Sequence, residues 1–178
     1  MIDIGHTIGN YKITAKLGEG GMGVVYLAEH PVIGKKVAMK AIHPELSKNS
    51  DVVSRFVTEA KAVNQIGHEH IVDIADFGNT SEGEFYFVME YLQGESLSDR
   101  LRRENRLGAG SALSITAQIA DALNASHEQG ITHPDPKPEN IFLCINRGAG
   151  RDFVKVLDFG LAKLTLSDQK VSHKTRTG

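Results

Sequence analysis

The sequence predicts an α+β fold built in two lobes. Three observations predict it: apolar alternation of period two around a glycine cluster in the first half, one stretch of helical period inside that half, and a turn to helical patterning after Gly94. A chain of 178 residues suits one domain of ordinary size or two small lobes sharing a hinge. The composition shift near Gly94 sets the division into lobes over residues 1–92 and 93–178.

The elements follow in order. Tyr11 to Leu17 alternates apolar and polar side chains and runs into Gly18-Glu19-Gly20-Gly21-Met22-Gly23. Val24 to Ala28 and Lys36 to Ile42 are β-branched or apolar runs bounded by Pro31 and Gly34, as in an antiparallel meander. From Ser50 to Ile66 the period changes: Val52, Phe56, Ala60 and Val63 recur at helical spacing, with Asn49 or Ser50 placed to cap the start. Ile71 to Phe77 and Phe85 to Met89 read as two more strands, which makes five in the first lobe. Ser96 to Glu104 reads as a short charged helix and Ser111 to Gln129 as a long one stopped by Gly130. A proline-studded loop from His133 to Asn140 follows, then short strands at Ile141 to Cys144 and Phe153 to Leu157.

Composition narrows the function. Hydrophobic residues make up 40% and charged residues 24%, and the net charge of −2 is spread along the chain. Those values describe a soluble globular protein and argue against a nucleic-acid or membrane surface held by bulk charge. A lone cysteine, Cys144, excludes an internal disulfide and fits a reducing cytoplasm. The opening MIDIGHTIGN has neither a basic segment nor an apolar core, so no signal peptide is read. No apolar run approaches the roughly 20 residues of a membrane helix.

Four segments carry chemistry. The glycine cluster fits G-x-G-x-x-G-x-V as Gly18, Gly20, Gly23 and Val25. Glycines let backbone N–H groups approach phosphate oxygens that a Cβ would hold away. A dinucleotide-binding turn is the rival reading, but it needs a helix directly after the glycines, and Val24-Val25-Tyr26-Leu27 is strand-like. A bland glycine hairpin is the other. Next, Val37-Ala38-Met39-Lys40 ends a buried-looking strand in a lysine, and Glu59 falls inside the apolar stripe of the predicted helix. A carboxylate facing a core is costly unless paired, and Lys40 is its natural partner. The alternative is a Glu59 that reaches solvent. The third segment, His133-Pro134-Asp135-Pro136-Lys137-Pro138-Glu139-Asn140, sets an aspartate, a lysine and an asparagine on one loop. Asp135 could take a hydroxyl proton, Lys137 neutralise a phosphoryl group and Asn140 ligate a metal; a proline-rich turn without chemistry is the plainer reading. The fourth is Asp158-Phe159-Gly160 at a strand end, where the aspartate could bind Mg²⁺ through oxygen.

Together and in this order, the four segments resemble the protein-kinase signature set, from about Tyr11 to Gly178. Lys137 to Asn140, K-P-E-N, is similar to serine/threonine rather than tyrosine kinases, and V-L-D-F-G-L-A-K at Val156 to Lys163 resembles bacterial eukaryotic-like (Hanks-type) kinases. The resemblance implies a protein-kinase-like α+β fold: a five-stranded antiparallel sheet with helix C, then an incomplete helical lobe. It implies phosphoryl transfer from ATP with Mg²⁺ or Mn²⁺ to serine or threonine hydroxyls of a protein substrate. Lys40 would contact the α- and β-phosphates and pair with Glu59. Asp135 would be the base, with Lys137 beside it, and Asn140 and Asp158 would hold the metal. Leu17, Gly18, Glu19, Gly20, Gly21 and Gly23 would cover the nucleotide. Met89 would be the gatekeeper, and backbone groups of Glu90 and Leu92 would meet the adenine edge. Val25, Ala38 and Leu143 would sandwich the ring. Val63, Ile74, His133 and Phe159 match the stacked residues that tie the lobes together, although each also suits a plain core.

Two departures stand out. Pro134 and Pro136 replace the arginine and leucine of H-R-D-L-K-P-E-N, deleting a backbone N–H each and pushing His133 and Asp135 toward extended backbone. The sequence also ends at Gly178, which in the family lies within the activation segment. Thr175 and Thr177 match positions that are often autophosphorylated in bacterial relatives. Three readings therefore stay open: a kinase, a nucleotide-binding pseudokinase acting as an interaction module, and an inactive fragment.

Overall fold

The computed structural model describes residues 2–133, 135–145 and 152–158. Thr175, Thr177, Phe159 and Pro134, to which roles were assigned above, lie outside the described residues. The first lobe is a six-stranded antiparallel sheet, not the five-stranded one expected. Its strands are β1 (Thr7–Ile8), β2 (Tyr11–Gly20), β3 (Gly23–Glu29), β4 (Lys36–Ile42), β5 (Ile74–Asn79) and β6 (Phe85–Glu90), in spatial order β1-β2-β3-β4-β6-β5. The added strand is two residues long, too short to show a period, and it exists because Thr7 and Ile8 pair with Lys12 and Tyr11.

Alternation along β4 decides what lies on each face. Val37, Met39 and Ala41 point to one side, where they pack with Ile13, Tyr26, Tyr86 and Val88. The segment before β1 covers this side: Ile2 and Ile8 are buried in the same cluster, and the Tyr26 hydroxyl donates to the Ile2 carbonyl at 3.1 Å. The opposite side carries Ala38, Lys40 and Ile42. Beneath it runs α2 (Ser50–Ile66), reached through the short α1 (Pro44–Ser47). Asn49 caps α2 by accepting from the N–H groups of Asp51 and Val52, and Gly67 ends it with φ of 56°. Val52, Phe56, Glu59, Ala60 and Val63 form its buried face. Phe56 stacks on Phe87 with ring centroids 4.7 Å apart, locking helix to sheet.

The second lobe contains β7 (Gly94–Ser96), α3 (Leu97–Glu104), α4 (Ala109–Glu128), β8 (Ile141–Cys144) and β9 (Phe153–Val156). Ser96 caps α3 by accepting from the Asp99 N–H at 3.0 Å. β7, β8 and β9 form a small antiparallel sheet in that order. The lobes share a core, because the cluster under α2 continues through Ile71, Val72 and Ile74 to Ile115 and Ala122 of α4 and to Ile141, Leu143, Val154 and Val156. Backbone bonds stitch the same seam: Val156 donates to the His70 carbonyl at 2.7 Å and Val72 to the Val156 carbonyl at 3.1 Å. Among the described residues no helix is long and apolar enough to cross a membrane.

Candidate functional site

A cavity of about 470 Å³ opens between the lobes. Leu17, Gly18, Val25 and Ala38 roof it, Met89, Glu90, Tyr91 and Leu92 back it, and Phe142, Leu157 and Val72 lie on the remaining apolar side. Glu95, Ser96, Asp99 and Glu139 line its polar rim. That mix of apolar walls and few polar groups, at the junction of two lobes, is the usual setting of a small-molecule site. Of the expected cover residues, Glu19, Gly20, Gly21 and Gly23 form the β2–β3 hairpin end and do not line the cavity. Gly23 is required by packing: a Cβ there would meet the Ala41 carbonyl oxygen at 1.9 Å, whereas Gly18, Gly20 and Gly21 have open space where a Cβ would stand.

Leu143 does not reach the cavity. It is 1% exposed and belongs to the shared core, while its neighbour Phe142 lines the wall. Side chains on β8 alternate, so only one of two successive residues can face the cleft. The burial of Ile141 and Leu143 selects Phe142. Ile141 to Cys144 is apolar at every position, so the sequence shows no alternation there, and only the burial of Ile141 in the fold tells which residue faces the cleft.

Lys40 shares the α2 face of β4 with Ala38, its ammonium 5.8 Å from the centre of the Phe87 ring. The expected Lys40–Glu59 ion pair is not formed; the Lys40 ammonium donates to the Asp158 carboxylate instead. Glu59 lies within reach of both charges but is 7% exposed, and its Oε2 has no hydrogen-bond partner. Burial pushes its pKa up to about 7, against the pull of the Lys40 charge and with the help of Asp158. A carboxyl that resists ionisation is the weaker partner for an ammonium. The half-exposed Asp158 takes it.

Asp158 is held from behind. Its φ of 50° is in the left-handed region, which among the described non-glycine residues only Asn105 shares. The preceding residue is clamped twice: Leu157 donates to the Asn140 carbonyl at 2.8 Å and accepts from His133 Nε2 at 2.9 Å. His133 Nδ1 accepts the Asp135 N–H at 3.2 Å, which fixes a neutral ring with its proton on Nε2. Asn140 Nδ2 donates to the Asp135 carbonyl at 3.0 Å. Lys137 and Asp135 pair at 2.6 Å, and that hydrogen bond raises the Lys137 pKa above its ordinary value. Asp135, Lys137, Asn140 and Asp158 are thus one connected constellation, with Lys40 and Glu59 on its far side. Val63 and Ile74 share the core cluster, and His133 is 7% exposed.

The geometry has counterparts in known proteins. Residues 11–178 match the protein kinase domain family. The chain is 45% identical over 170 residues to the serine/threonine-protein kinase Pkn1 of Myxococcus xanthus, covering 96% of this chain and 24% of that protein. It is 39% identical to pkn3 of the same organism, covering 98% of this chain and 32% of that one. The crystal structure of the Mycobacterium tuberculosis PknI kinase domain superposes with a TM-score of 0.75 at 28% identity, covering 92% of this chain and 63% of that one. The chain therefore spans about a quarter to a third of the length of these curated relatives.

Proposed function

The chain belongs to the protein kinase domain family, and from that premise we propose that its cleft binds ATP with Mg²⁺ or Mn²⁺ and transfers the γ-phosphoryl group to serine or threonine hydroxyls of a protein. The carrying observation is the connected constellation of Lys40, Asp158, Asn140, Asp135 and Lys137, whose chain neighbours Leu157 and Glu139 line the cavity.

The donor chemistry fits the metal. Asp158 and Asn140 supply hard oxygen ligands, and the Asn140 amide nitrogen is already committed to Asp135, which leaves its oxygen for a cation. ATP with its metal supplies the phosphoryl group and the charge neutralisation that transfer needs. The chain's residues do the rest. Lys40 binds the α- and β-phosphates from its place beside Asp158. Backbone groups of Glu90 and Leu92 hold the adenine edge, with Val25 and Ala38 on one face of the ring and Phe142 on the other. Asp135 orients the substrate hydroxyl and accepts its proton, while Lys137 draws negative charge from the phosphoryl oxygens. Autophosphorylation at Thr175 and Thr177 belongs to the same reading.

Two measurements test it. ATP–Mg²⁺ should raise the melting temperature of the chain, because a ligand of the native state stabilises it by mass action. Radiolabelled phosphate should pass from ATP to a protein acceptor, and Asp135→Asn should abolish the transfer. A thermal shift without transfer in the unaltered chain would overturn the catalytic part and leave a nucleotide-binding module.

A further inference from the structure

We propose that His43 is a positioning residue that docks the β2–β3 flap and selects which of its faces presents N–H donors to the nucleotide phosphates. The proposal rests on the nucleotide reading above. His43 directly follows β4 and precedes α1, outside the four segments that carry the chemistry. Two contacts tie it to the flap end from opposite sides of the turn. Its Nε2 bonds the Gly20 carbonyl at 3.0 Å, and its backbone N–H donates to the Met22 carbonyl at 3.1 Å. A third tie is apolar, since Met22 packs against the same core cluster as Leu46 of α1. Glu19 adds charge at the same point: its carboxylate pairs with Lys16 and lies 4.0 Å from His43 Nε2.

These ties fix an orientation as well as a position. The Gly20–Gly21 peptide is trans, so its N–H points opposite to its C=O. With the Gly20 carbonyl drawn to His43, the Gly21 N–H faces the other way. Gly20 and Gly21 have open space where side chains would stand, so an anion can approach the backbone there. Without the imidazole the Gly20–Gly21 peptide keeps only its hairpin pairing with Gly23, a looser hold at the end of the ladder, and the donor is shared among more orientations.

The role predicts a selective loss. A flap donor matters to phosphates and not to the nucleoside, so ATP and adenosine binding to the chain should separate. By calorimetry, His43→Leu should weaken ATP about tenfold, the value of one hydrogen bond to a charged group, and leave adenosine within about twofold. In turnover, KM for ATP should rise by a similar factor while KM for the protein acceptor stays put. His43→Gln, which keeps a donor at similar reach, should restore most of the ATP affinity, whereas His43→Asn, polar but too short, should not. Unchanged ATP affinity in both His43→Leu and His43→Asn would overturn the proposal, as would equal weakening of ATP and adenosine. A native chain that binds adenosine and ATP equally weakly, or not at all, would instead overturn the nucleotide reading and this one with it.

Discussion

Lys155 and Glu90 form a buried ion pair that joins the last strand of the second lobe to the hinge end of the first. The Lys155 side chain is 6% exposed, and its ammonium also donates to the Ile71 carbonyl at 2.9 Å. Glu90 in turn accepts the Asp73 N–H at 3.0 Å. An ammonium at this depth is tolerable only because both acceptors meet it. Lys155→Met removes the cation and leaves a carboxylate at the lobe junction, which should cost about 3–5 kcal/mol in urea unfolding. Adding Glu90→Gln should recover a large part of that loss, because apolar or neutral replacements of a buried pair are often well tolerated.

Glu59 should make stability depend on pH in an unusual direction. Its pKa rises from an ordinary 4.5 to about 7 on folding, chiefly through burial. The folded state therefore holds the proton more tightly than the unfolded state. The stabilisation is fully present below pH 4.5 and is lost as pH rises through about 7. The spread amounts to about 3 kcal/mol. Chemical unfolding of Glu59→Gln between pH 5 and 8 should show this slope removed, since the amide has no proton to lose. A slope that persists in the variant would assign it to other groups.

How legible was this in the sequence? The helix beneath the sheet was readable because Val52, Phe56, Ala60 and Val63 repeat at the helical period, and Glu59 stood out as a charge inside that stripe. β4 was readable as an apolar run carrying Lys40, but not which of its faces meets the cleft, because both are buried. Pairings that depend on distant backbone were not. Thr7–Ile8 and Gly94–Ser96 are too short to carry a pattern and become strands only because β2 and β8 offer them edges. The choice of Asp158 over Glu59 by Lys40 was also hidden, because spacing gathers residues at a site but does not say which carboxylate is buried there and which is open. The Phe142–Leu143 exchange was hidden for a like reason, since all four residues of β8 are apolar and only burial in the fold decides which one faces the cleft.

That exchange can be tested by separating affinity from stability. Leu143 is buried among Ile141, Val154 and Val156, so Leu143→Ala should cost about 2–5 kcal/mol of stability through the cavity it leaves. Its effect on nucleotide affinity, measured where the variant is folded, should be small. Phe142 is only half-buried and lies on the cavity wall. Phe142→Ala should weaken adenosine and ATP together by about tenfold while lowering stability much less, because it removes ring contact area from the ligand and little from the core. The reverse pattern would return the adenine contact to Leu143.

Two glycines of the flap, a residue apart, should respond oppositely to the same methyl group. A Cβ on Gly23 would lie 1.9 Å from the Ala41 oxygen and 2.9 Å from its carbonyl carbon, both backbone atoms of the paired strand β4. Backbone cannot swing aside as a side-chain tip can, so Gly23→Ala must part β3 from β4 where Gly23 opposes Ile42. A drop in stability of about 2–4 kcal/mol is expected, within the range for overpacked or strained sites. Gly21 has nothing within 4 Å of the same position, and its φ is not in the left-handed region. Gly21→Ala should leave the melting temperature within about a degree or two and weaken ATP more than adenosine, because its methyl occupies the space through which phosphate meets the backbone. If Gly21→Ala instead unfolds the chain while Gly23→Ala does not, the hairpin is packed against β4 in a register other than the one that pairs Gly23 with Ile42.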